Sequence, residues 1–67
     1  MAGIASVPSM AEAKRLLTIH APNTAITANE GEYRVNFLNG KEASAYYTTD
    51  LTDAVGTAIL MSRTRRA

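Results

Sequence analysis

The chain has 67 residues, enough for one small domain, and seven Lys and Arg against six Asp and Glu leave it at +1. A hydrophobic share of 46% with 19% charged residues excludes wholesale disorder. The absence of Cys excludes disulfides, thiol catalysis and thiolate metal sites.

The first seven residues are small and uncharged and lack the basic and continuous apolar regions of a signal peptide, so a cytoplasmic protein is expected. Residues 1–8 read as a flexible start. Ser9 with Glu12 three positions on forms a capping box, and Met10, Ala13, Leu16, Leu17 and His20 follow at helical spacing. Pro22 removes a backbone donor, which ends this helix near His20.

Two strand-like runs come next, Thr24 to Asn29 and Glu32 to Leu38. Tyr33, Val35 and Phe37 alternate with Arg34 and Asn36, a period of two. A two-residue turn at Glu30–Gly31 sets Ala28 against Tyr33 and Ile26 against Val35, gathering the apolar residues on one face. Asn39–Gly40 is a second hairpin signal. It predicts a third strand over 42–48, with Gly40 left-handed in a bulge, Val35 beside Ala43 and Tyr33 beside Ala45. In that register Arg34, Asn36, Ser44, Tyr46 and Thr48 share an open, solvent-facing sheet surface.

Thr49 or Asp50 then caps a second helix, whose inner stripe is Leu51, Ala54, Val55 and Ala58, with Met61 or Ser62 at its end. Gly56 in its interior predicts a close approach of helix to sheet. The fold class expected is α+β: α-β-β-β-α, a three-stranded antiparallel meander sheet with both helices on one face. Residues 9–62 form the single domain and 63–67 a basic tail with Arg63, Arg65 and Arg66. Residues 1–62 carry four basic groups against six acidic ones, a net −2, so positive charge is concentrated at the end of the chain.

Chemistry-bearing constellations are sparse. His20 is the lone histidine, and Glu30/Glu32 and Asp50/Asp53 are explained by turns and capping. No catalytic, cofactor-binding or metal-binding residues are assigned, and no cofactor is expected. Ile59, Leu60 and Met61 widen the apolar stripe of the second helix beyond what one sheet needs, which marks a candidate dimer seam, with the edge strand Thr24–Asn29 as the alternative seam. These features point to a small non-catalytic accessory protein that binds another protein or itself, as a homodimer. The alternative is weak nucleic-acid binding through Arg63, Arg65 and Arg66 together with Arg34 and Tyr46 on the open face.

The element order resembles that of the double-stranded RNA-binding domain. That resemblance implies basic residues at the start of the second helix. This chain has Thr49, Asp50, Leu51, Thr52 and Asp53 there, and its two aspartates oppose duplex phosphates. Over residues 31–61 the chain also resembles small uncharacterised bacterial proteins of prophages and accessory elements. The segments that carry this are Tyr33-Arg34-Val35-Asn36-Phe37, Glu42-Ala43, and the run from Tyr46 to Ala54. That likeness implies no activity and no site residues.

Overall fold

The computed structural model describes residues 9–64. The order is α1 (Met10–His20), β1 (Thr24–Asn29), β2 (Glu32–Phe37), a 3-10 turn (Glu42–Ser44), β3 (Tyr46–Thr48) and α2 (Leu51–Thr64). The strands form one antiparallel sheet in the order β1-β2-β3. This is the α+β, α-β-β-β-α arrangement that the hydrophobic patterning predicts.

Helix α1 starts where Ser9 Oγ accepts the Glu12 amide at 3.2 Å. The Glu12 carboxylate accepts from Arg15 Nε at 3.4 Å. The helix ends with Ala21, whose amide donates to Leu17 O at 2.8 Å and whose carbonyl accepts both the amide and the hydroxyl of Thr24. His20 is exposed at this end.

The first hairpin has the expected register, with Ile26 opposite Val35 and Ala28 opposite Tyr33. Its two turn residues both have positive φ, 53° at Glu30 and 81° at Gly31. A turn of that hand matches the twist of the flanking strands, and glycine takes the second position without steric cost.

The segment after β2 departs from expectation. There is no strand over 42–45: residues 42–44 form a 3-10 turn, and β3 is only Tyr46–Thr48. Val35 pairs with Tyr46 and Tyr33 with Thr48, not with Ala43 and Ala45. This register differs from the expected one by three residues, an odd number, so every β3 side chain changes face. Gly40 is not left-handed.

The reason lies in Asn36. Its Nδ2 donates to Lys41 O at 3.0 Å, and its Oδ1 accepts the Phe37 amide and the Ser44 hydroxyl, each at 2.7 Å. Ser44 Oγ also lies 2.9 Å from Lys41 O. One side-chain amide thus organises residues 37–44 into a loop folded over the sheet, and these bonds outweigh extension of a hairpin.

Helix α2 is capped by Asp50, whose Oδ1 accepts the amides of Thr52 at 2.9 Å and Asp53 at 3.3 Å. Both helices pack on the face that carries Ile26 and Val35. The core is Ala13, Leu17, Ala21, Ile26, Val35, Ala54, Val55 and Ala58. Half of it is alanine, so little apolar bulk is buried. The expected crowding at Gly56 is absent: a Cβ built there would have nothing within 4 Å.

Candidate functional site

The open face of the sheet is built from the alternate residues of each strand. On β1 these are Ala25, Thr27 and Asn29, and on β2 they are Glu32, Arg34 and Asn36, with Tyr47 beside Arg34 on β3. Arg34 donates to Glu42 Oε1 at 3.0 Å, and the Tyr47 hydroxyl donates to Glu42 Oε2. The 3-10 turn therefore sets one carboxylate against a guanidinium and a phenol.

Each group moves the others' protonation in the direction that geometry requires. Tyr47 and Arg34 together hold the Glu42 carboxyl below its usual range. Glu42, with help from Tyr47, holds the Arg34 guanidinium more firmly protonated. The trio pairs Arg34 with Glu42 in water, so any further anion meets the guanidinium as one member of an exposed ion pair.

Of the five residues expected to share the open face, the structure keeps two there and moves the rest. Arg34 stays exposed to solvent on one side. Asn36 stays on that face but is only 3% accessible, because the 38–45 loop covers it. Ser44 belongs to the covering loop. Tyr46 and Thr48 pair with Val35 and Tyr33 and so lie on the opposite, helix-bearing face. There the Tyr46 hydroxyl donates to Asp53 Oδ2 of α2 at 2.6 Å, which raises the Tyr46 pKa. Arg34 and Tyr46 consequently do not form a joint surface. The tyrosine beside Arg34 is Tyr47, which the expected register had placed inside.

The three residues of the candidate seam on α2 also separate. Ile59 and Met61 pack partly against the core, and Leu60 is 61% exposed. Arg63 lies in the last turn of α2, while Arg65 and Arg66 lie outside the described residues, as does the 1–8 segment.

Sequence reasoning gave β1 its correct span and named this edge strand as the alternative dimer seam to α2. Among the described residues it is an end strand of the sheet, with one side unpaired. The two-residue turn makes Asn29–Glu32 the closing hydrogen-bonded pair, so Thr27 and Ala25 also bond to β2. The amide of Leu38 donating to Asn23 O at 2.9 Å continues the same alternation. The N–H and C=O groups of Ile26 and Ala28 therefore point away from β2. Beside them runs a groove of about 410 Å³ between β1 and α1, lined by Lys14, Leu17, Thr18, Pro22 and residues 24–27. The legible signal was chemical. Thr24–Asn29 contains no charge and no Pro, two of the devices that protect an exposed edge.

The other sheet edge is poorer. Strand β3 has three residues, of which Tyr46 and Thr48 pair with β2 in the hydrogen-bonding phase, leaving Tyr47 as the one outward residue. Among the described residues no group of three or more His, Cys, Asp or Glu side chains is placed to hold a metal ion, and no helix is long and apolar enough to cross a membrane. No protein-family model, no curated protein and no solved structure matches the chain.

Proposed function

We propose that this chain is a small, non-catalytic accessory protein that acts by binding a protein chain, either another protein or itself. The observation that carries this reading is the β1 edge: six residues without charge or Pro, beside an open groove. Such an edge presents backbone donors and acceptors in a row, the geometry by which an extended segment adds to a sheet. The Arg34–Glu42–Tyr47 trio, by contrast, is closed on itself and offers less to a ligand.

Site-specific photo-crosslinking in cells tests it. A photoreactive side chain at Thr27 on the β1 edge is expected to give discrete protein adducts, and one at Leu60 on the outer surface of α2 is expected to give few. No protein adduct from Thr27, or equal diffuse labelling from both, contradicts the reading.

A further inference from the structure

We infer that the occupant of the β1 edge is a second copy of this chain, paired antiparallel through β1 about a twofold axis at Thr27. This rests on the reading of β1 as the contact edge and adds the partner and the register.

The outward backbone groups select the register. Ile26 and Ala28 each present an N–H and a C=O on the open side of β1. Thr24 has an outward carbonyl, but its amide is already given to Ala21 O at 3.0 Å. Pairing Ile26 with Ala28 of the partner subunit, and Ala28 with Ile26 of the partner subunit, satisfies all four outward groups on each strand. A twofold axis at Ile26 would draw on Thr24 and leave the Ala28 carbonyl unpaired. An axis at Ala28 would set Ile26 against the turn residue Glu30 of the partner subunit, whose φ of 53° is not a strand conformation.

The side chains accept the same register. Thr27 meets Thr27 of the partner subunit on the open face, and Ala25 meets Asn29 of the partner subunit. A strand paired with itself doubles any charge it carries. With none on Thr24–Asn29, no like charges are opposed between the two strands. On the other face the exposed Ala28 side chain comes to lie against Ile26 of the partner subunit. The two α1 helices stand side by side with their groove-lining surfaces, Lys14 and Thr18 included, toward each other. The contact is isologous and closes at two copies, giving a six-stranded sheet. It also adds burial to a core that is half alanine.

The natural chain has no Cys, so Thr27→Cys introduces one thiol. Cross-strand Cα atoms of a non-hydrogen-bonded antiparallel pair are about 4.5 Å apart, within the range a disulfide spans. The proposal predicts that the full chain sediments at twice 7.2 kDa as concentration rises. It predicts that oxidised Thr27→Cys gives a covalent dimer roughly tenfold or more faster than a Leu60→Cys control. It also predicts that Thr27→Lys, which opposes two ammonium groups at the axis, sediments as a monomer with unchanged circular dichroism. A dimer that survives Thr27→Lys, or Thr27→Cys oxidising no faster than the control, overturns the β1 seam. A monomer at every concentration overturns self-pairing. Photo-crosslinks from Thr27 to a different protein in that case leave the broader binding reading standing, and their absence removes both.

Discussion

Gly40 lies so close to the side-chain amide of Asn36 that a methyl group on it would sit 2.7 Å from Asn36 Cγ and 2.9 Å from Ser44 Oγ. The glycine is needed for space and not for its backbone freedom. Gly40→Ala must displace Asn36, and with it the bonds that hold residues 37–44. We expect a loss of about 1–3 kcal/mol in chemical denaturation. A stability unchanged within error would mean that the loop does not rest on Asn36.

Gly56 is the opposite case. It is interior to α2, and apart from the helix's own neighbouring backbone and the adjoining residues no atom lies within 4 Å of a Cβ built there. Gly56→Ala is expected to raise stability by about 0.5–1 kcal/mol, since alanine loses less backbone freedom on folding. Destabilisation in thermal unfolding would show that the helix approaches something at this position.

A three-residue series separates the layers of the sheet. Val35 is fully buried, and Val35→Ala is expected to cost about 2–3 kcal/mol. Ser44→Ala removes a hydroxyl bonded to Asn36 and Lys41 and is expected to cost about 1 kcal/mol. Arg34→Ala breaks a pair open to water and is expected to cost the least of the three. Equal losses from all three would contradict the layering.

The pH dependence has two signs. The Glu42 carboxyl titrates below its usual range in the folded chain, so its contribution is present above that range and is lost as pH falls through the lowered value. Glu42→Gln should flatten the acid limb of the stability profile. The Tyr46 phenol, held by Asp53, titrates above 10.0. Its contribution is present below 10.0 and is lost as pH rises through the raised value, so Tyr46→Phe should flatten the alkaline limb. A wild-type profile indistinguishable from both variants would contradict these pairings.

Most of the fold was legible because local signals agreed with tertiary packing. Ser9 and Pro22 bracket α1, and the apolar alternation of 26, 28, 33 and 35 allows one hairpin register. The 38–45 segment was not legible, because its structure is set by the Asn36 side chain reaching Lys41 and Ser44, contacts that periodicity does not encode. Asn39–Gly40 has the composition of a hairpin turn, and only the crowding around Gly40 shows its other use. The open face was misassigned for the same reason: an error in loop length became an error in face at Tyr46 and Tyr47. The β1 edge was legible, since the meander order that the hairpin signals predict puts Thr24–Asn29 at one side of the sheet; the outward phase of Ile26 and Ala28 follows from the register of the first hairpin.

Amide hydrogen exchange along β1 at low and high protein concentration tests the central claim most directly. The amides of Ala25, Thr27 and Asn29 bond to β2 and are expected to be protected at both concentrations. Those of Ile26 and Ala28 face outward; they are expected to exchange readily when dilute and to slow as concentration rises. Rapid exchange of Ile26 and Ala28 at every concentration, in a chain that stays folded, would contradict the β1-paired dimer.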